Sequence, residues 1–243
     1  MSYPSLVFVP RTILAAAGFL TRLPLRPQGG LAGAAAFALV GAGIGLVASL
    51  PVLTIGAAAP LLGAALAVGL IAVASGGLHL DGVADTIDAL AAPTSDRAEQ
   101  ARRDPAVGAL GAAGVSLVLL AEASSIAGLS PAVVVPALIV AGAASRAVPV
   151  LGARLVRHRN AGLGGWWRDA VRFIDVVVCL ASLGLIVAAS RSIVHASAAG
   201  VGLAAGIVIL LLLERRFGAV NGDSHGAAVE GAFLVALIVE VTA

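Results

Sequence analysis

From Leu61 to Leu80 the chain reads LLGAALAVGLIAVASGGLHL, and from Asp81 to Asp88 it reads DGVADTID. The first stretch is about the length that crosses a bilayer as a helix, and it holds nothing polar beyond small residues and His79. The second places three carboxylates within a turn and a half of the same helical pattern. Asp81 and Asp85 are spaced i,i+4 and Asp85 and Asp88 i,i+3, so one helix face carries all three. Uncompensated carboxylates at the edge of a membrane repel one another where charge is costly. A divalent cation between them removes that cost, and hard oxygen ligands suit Mg²⁺. The two stretches together predict a membrane-embedded helical fold and metal-dependent chemistry on a phosphate-bearing substrate at the membrane surface.

The rest of the chain agrees with the first half of that reading. Of 243 residues, 60% are hydrophobic and the mean hydropathy is +1.05, whereas a soluble domain is about 45–50% apolar. Apolar runs of about 20 residues recur, which predicts an all-α fold, a polytopic integral membrane helical bundle. One domain covers 1–243, with spans at 31–50, 60–80, 107–128, 131–151, 174–190, 193–213 and 226–242. Pro51 is expected to stop the first span, and the second to run straight into the aspartates. Residues 5–24 read as an interfacial amphipathic helix, retained rather than cleaved, that Pro24 and Pro27 end. The 30 glycines suit close helix packing in lipid. The small net charge of +2 gives no reason to expect nucleic acid. Cys179 is the sole cysteine, so no intramolecular disulfide exists. The four His are too scattered for zinc.

All 15 basic residues are arginine. With seven spans, Arg11, Arg22, Arg26, Arg97, Arg102, Arg103, Arg154, Arg157, Arg159, Arg168, Arg172, Arg215 and Arg216 share one side, and Arg191 alone lies on the other. The positive-inside rule makes the first side cytoplasmic, with the N-terminus in and the C-terminus out of a multi-pass cell membrane protein. Arg146 lies inside the fourth span near its same-side end. It needs a partner, which a carboxylate of the cluster or a substrate phosphate would provide.

Polar residues with chemical potential fall on the same face. A short helix is expected at 95–103, followed by RDPAVGALG at 103–111. There Gly108 and Gly111 permit close backbone approach, and a helix N-terminus offers N–H groups to phosphate. Trp166 and Trp167 read as interfacial anchors, with stacking on a ring system as the alternative. Asp223 and Glu230 are spaced i,i+7 and share a face if the last helix begins early. His225 reads as a satisfied interfacial histidine or as a base.

The motifs GLHLDGVADTID (77–88), RDPAVGALG (103–111), FLTRLP (19–24), Ser145-Arg146 and GDSHGA (222–227) with Glu230 occur in one order along the chain. This set resembles the cobalamin synthase family, the adenosylcobinamide-GDP ribazoletransferases, with Ser224 where that family has threonine. The resemblance implies a Mg²⁺-dependent membrane enzyme that joins adenosylcobinamide-GDP to α-ribazole or its 5′-phosphate and releases GMP. It implies metal ligands among Asp81, Asp85, Asp88, Asp223 and Glu230. Substrate and phosphate contacts fall to Arg22, Arg102, Arg103, Asp104, Gly108, Gly111, Ser145, Arg146 and Ser224. Asp88, His79 and His225 are the candidate bases. The expected partners are the corrinoid-GDP and α-ribazole, the lipid bilayer, and copies of the chain or other corrinoid-pathway enzymes. A CDP-alcohol phosphotransferase is the alternative, but its motif puts glycine after the second aspartate, and here Gly82 follows Asp81. An ion-coupled transporter fits less well, because its charged groups belong near the midplane.

Overall fold

A computed structural model describes residues 5–25, 33–94, 97–98, 106–159 and 163–243. Its helices are α1 (Ser5–Leu20), α2 (Phe37–Ile55, entered by a 3₁₀ turn at Ala34–Ala36), α3 (Pro60–Ser75), α4 (Leu78–Ala91) and α5 (Ala109–Gly128). They continue with α6 (Val134–Leu155), α7 (Leu163–Ala170), α8 (Phe173–Ser190), α9 (Ile193–Phe217) and α10 (Gly222–Thr242). Six of these, α2, α5, α6, α8, α9 and α10, are long and apolar enough to cross a membrane, and α3 with α4 forms a seventh, bent unit. The protein is an all-α polytopic membrane bundle.

The expected second span does not run into the aspartates as one helix. It breaks at Gly76 and Gly77, whose φ values are +62° and +73°, and the chain turns by 91° between α3 and α4. Two consecutive left-handed residues are accessible to glycine without a Cβ clash. A hydropathy pattern carries no information about the sign of φ, so the run looks continuous in sequence. The turn gives α4 two distinct faces. His79, Gly82, Val83, Thr86 and Ala89 are buried, while Asp81, Asp85 and Asp88 lie on the more open side.

Other boundaries move for local reasons. Pro51 does not end α2, which continues to Ile55; proline is tolerated within spanning helices. α6 passes through Pro149 to Leu155, so Arg146 is about 14 Å from the helix end at 1.5 Å per residue. It is therefore deeper than the sequence placed it. α10 begins at Gly222 because Asn221 caps it, its Oδ1 accepting from the Ser224 N–H at 3.1 Å and the Ser224 hydroxyl at 2.9 Å. That early start puts Asp223 in the first turn. α1 stops at Leu20, ahead of Pro24, and the Thr21 hydroxyl donates to the Ala17 carbonyl at 2.6 Å.

α6 is the central helix, packed on α2, α8, α9 and α10. Lipid is as apolar as the side chains, so close packing has to hold such a bundle together. The α2 and α6 backbones meet at Gly41 and Gly142, flanked by fully buried Ala38, Ala141, Ala144 and Ala147.

Tertiary hydrogen bonds gather the polar loops at one end. The Arg22 N–H donates to the Ala74 carbonyl at 2.8 Å, so the exit of α1 and the exit of α3 meet. Val220 donates to the Arg157 carbonyl at 2.8 Å and accepts from Arg159 at 3.0 Å, tying the α6–α7 and α9–α10 connections together. Arg216 Nη2 reaches the Ala92 carbonyl at 3.3 Å. At the other end His195 Nδ1 lies 2.8 Å from the Glu240 carboxylate.

Candidate functional site

Between the end of α1, the α3–α4 break and the start of α5 lies an open cleft of about 890 Å³. Its charged lining residues among those described are Arg22 and Asp81. The Arg22 side chain lies over Gly76, in space that a Cβ would occupy. Gly76 thus serves both the turn and the arginine. A smaller cavity of about 110 Å³ adjoins it, lined by Phe37, His79, Trp167, Asp223 and His225.

α4 reaches this place by crossing α10 at closest approach. A Cβ on Gly82 would stand 2.7 Å from the Asp223 carbonyl oxygen and 3.0 Å from Gly226 Cα. Gly82 therefore follows Asp81 for a packing reason, and the crossing brings Asp81 and Asp223 to the same cavity. Asn221 Nδ2 donates to Asp223 Oδ2 at 2.6 Å and fixes that side chain.

Asp88 has a different situation from Asp81. Its Oδ2 accepts the Gly108 N–H at 2.7 Å and its Oδ1 the Gly111 N–H at 2.8 Å. Gly108 is the N-cap of α5 and has no side chain to satisfy those donors, so Asp88 caps α5 from a neighbouring helix. A Cβ on Gly108 would come within 2.5 Å of Asp88 Oδ1. Two of the N–H groups at this helix start, those of Gly108 and Gly111, are taken by this carboxylate.

The remaining candidates separate into two buried groups. Arg146 is fully buried, donates from Nη1 to the Ser145 hydroxyl at 2.9 Å and stands 5.6 Å from the Phe233 ring centroid. Its Nε and Nη2 find no hydrogen-bond partner among the described residues. Its charge faces Glu230 and Glu122 rather than the aspartates of α4, and those two carboxyls are within hydrogen-bonding reach of each other. His79 Nδ1 lies 3.9 Å from Glu230 Oε1. The second group is His225 with His158, whose Nε2 atoms are 3.0 Å apart and whose rings stack at 5.1 Å. Burial holds His158 below the usual imidazole range, opposed by the Val156 backbone, while Arg168 adds to the depression and Glu214 opposes it. Ser145 also donates to the Ala141 carbonyl at 2.8 Å, and Ser224 is committed to the α10 cap.

Arg102, Arg103, Asp104 and nearly all of the expected 95–103 helix lie outside the described residues. Among the described residues, no three His, Cys, Asp or Glu side chains gather closely enough to hold a metal ion by themselves. Sequence reasoning missed Glu122, His158 and the aromatic cluster around Trp167. For Glu122 the signal existed, since a lone carboxylate inside an apolar span marks a polar interior. Its partners, however, come from α6 and α10.

Fold and site define a polytopic helical membrane protein with an Arg22–Asp81 cleft at one end of the bundle. Residues 12–241 match the model of the cobalamin-5-phosphate synthase family, and the chain belongs to that family, a family of transferases. Relatives named adenosylcobinamide-GDP ribazoletransferase support the same placement. One from Prochlorococcus marinus is 34% identical over 179 residues, 68% of each chain. One from Citrobacter koseri is 36% identical over 175 residues, 69% of this chain and 70% of the relative. One from Shigella dysenteriae is 32% identical over 236 residues, 90% of this chain and 95% of the relative. No solved structure gives a significant match.

Proposed function

We propose that the protein joins adenosylcobinamide-GDP to α-ribazole or its 5′-phosphate, with Mg²⁺, releasing GMP and forming adenosylcobalamin or its 5′-phosphate. The observation that carries this reading is the placement of Arg22 and Asp81 in one cleft at the charged end of the bundle. A guanidinium grips diphosphate oxygens in a planar fork. Mg²⁺ is ordinarily held by one or two carboxylates together with substrate phosphates. Carboxylates that do not form a closed cage of their own therefore fit an ion that binds with its diphosphate. Asp81 would hold it together with the diphosphate oxygens, with Asp85 on the same helix face or Asp223 across the α4–α10 crossing as a second carboxylate. When bound, the ion would neutralise charge on the breaking diphosphate.

The chain's own residues supply the rest. Arg22, with Arg102 and Arg103, orients the donor's diphosphate. Asp88 fixes the start of α5, so that Val107 and Ala112 keep their place in the cleft wall. A hydroxyl oxygen of the acceptor attacks the phosphorus on the corrinoid side, the phosphorus–oxygen bond to GMP breaks, and the hydroxyl proton needs a base. Of the three candidates, Asp88 has both oxygens engaged and His225 has its Nε2 engaged with His158. His79 lines the small cavity with Glu230 behind its Nδ1, and it takes the proton in this reading. The arginine distribution supports a cytoplasmic site in the cell membrane, N-terminus in and C-terminus out.

The test is GMP release by purified, lipid-embedded protein given adenosylcobinamide-GDP, α-ribazole and Mg²⁺, beside Asp81→Asn and a chelator control. The wild type releases GMP and forms a cobalamin; the variant and the chelated enzyme do not. A wild type inert with these substrates but active on a CDP-alcohol overturns the reading.

A further inference from the structure

A second open space, a groove of about 800 Å³, shares with the cleft only Thr21 and Arg22. Its other described lining residues are apolar, among them Ala17 of α1, Val73 of α3, and Leu39, Gly43 and Val47 of α2. Leu39, Gly43 and Val47 are spaced i,i+4,i+8 on one face. The two larger side chains are exposed, and Gly43 leaves a notch between them, where a Cβ would meet nothing within 4 Å. Along α2 the groove runs from Leu39 to Ala48, about 14 Å at 1.5 Å per residue. One leaflet of a bilayer is about 15 Å of hydrocarbon, half of the core, so the groove is as deep as one lipid chain is long. Its polar end is the end where the Arg22 N–H meets the Ala74 carbonyl. The Thr21 hydroxyl there is spent within α1, donating to the Ala17 carbonyl at 2.6 Å and accepting the Leu23 N–H at 3.2 Å. Arg22 is therefore the charged group at the mouth. Further along α2 and α3 lies a groove of about 560 Å³ whose described lining, Gly69 and Thr54 included, holds no charge. The two grooves have similar apolar walls, and a cation stands at the end of only the first.

We propose that the groove between α1, α2 and α3 binds one anionic phospholipid, with an acyl chain lying over Gly43 and the phosphate on the Arg22 guanidinium. A guanidinium pairs with phosphate oxygens through two parallel N–H groups, and a basic side chain at the membrane surface favours anionic lipid over neutral. The site needs no corrinoid, so it stands or falls separately from the transferase reading.

Phosphatidylglycerol and phosphatidylcholine with the same acyl chains are titrated separately onto the delipidated chain in detergent, and bound lipids are counted by native mass spectrometry. The wild type takes up one phosphatidylglycerol ahead of any others, with a preference of about fivefold over phosphatidylcholine. Gly43→Leu fills the notch and weakens that first binding about 10-fold. Gly69→Leu leaves it unchanged, because Gly69 lines the uncharged groove and its Cβ also meets nothing within 4 Å. Both variants melt at or above the wild-type midpoint, since leucine is a better helix former than glycine. Arg22→Gln binds the two lipids alike. Gly43→Leu and Gly69→Leu that behave alike, uptake indifferent to headgroup in the wild type, or a preference that survives Arg22→Gln each overturn the proposal. A lipid-free dimer that Gly43→Leu abolishes overturns it as well and gives the groove to a second copy of the chain.

Discussion

Replacing Asp88 by alanine removes a carboxylate that accepts two backbone N–H groups, at 2.7 and 2.8 Å, from the start of α5. Hydrogen bonds to a charged group contribute about 1.5–3 kcal/mol each, and a carboxylate at a helix N-terminus adds about 0.3–1 kcal/mol. Asp88 is only half-buried, so water replaces part of what is lost and the low end applies, about 3 kcal/mol in all. For a chain of this size each kcal/mol moves the melting midpoint about 2–4 °C, which predicts a fall of about 6–12 °C. Cys179 is the sole cysteine and is fully buried. A thiol-reactive dye therefore stays dark until the bundle opens and reports melting of the detergent-solubilised protein without engineering. Asp88→Asn keeps the shape and one acceptor and falls about half as far. Gly108→Ala follows Asp88→Ala, because its Cβ would stand 2.5 Å from Asp88 Oδ1. Asp81→Asn, exposed at the rim, leaves the midpoint unchanged. An Asp88→Ala midpoint within about 2 °C of wild type would refute the capping argument.

Asp81→Asn or a chelator lowers GMP release about 100-fold or more, since both remove charge stabilisation at the diphosphate, while the melting midpoint of the variant stays at the wild-type value. Arg146→Met leaves Glu122 and Glu230 facing each other without their cation and destabilises the bundle by about 3–5 kcal/mol; adding Glu230→Gln recovers part of that loss in the same melting assay. Burial lowers the His158 pKa below its ordinary 6.5, so the unfolded chain binds more protons than the folded one just below that pH. The His158 contribution to stability is therefore complete above pH 6.5 and is lost as pH falls toward the depressed folded value. Melting midpoints measured between about pH 7.5 and 5 decline on acidification, and His158→Phe flattens that decline.

The sequence by itself determined the membrane setting and the helical class. Span-length apolar runs leave no other way to satisfy backbone groups in lipid, and the arginine spacing places the loops on one side. The shared face of Asp81, Asp85 and Asp88 was also legible, because carboxylates repeating at helical spacing beside an apolar run report it themselves. Three further things waited for the tertiary structure. The turn at Gly76 and Gly77 depends on the sign of φ, which composition does not record, and it decides that α4 presents His79 inward and Asp81 outward. The division of labour among the aspartates depends on which N–H groups stand nearby. Asp88 and Asp81 look alike along the helix, yet only Asp88 meets the bare start of α5. Finally, the partners of Arg146 come from α5 and α10, and the rings around the small cavity come from α1, α2 and α7. Such groups are brought together by close helix crossings such as Gly82 on Gly226. A local pattern identifies which residues want a partner, and only the packing of distant helices decides which partner each one finds.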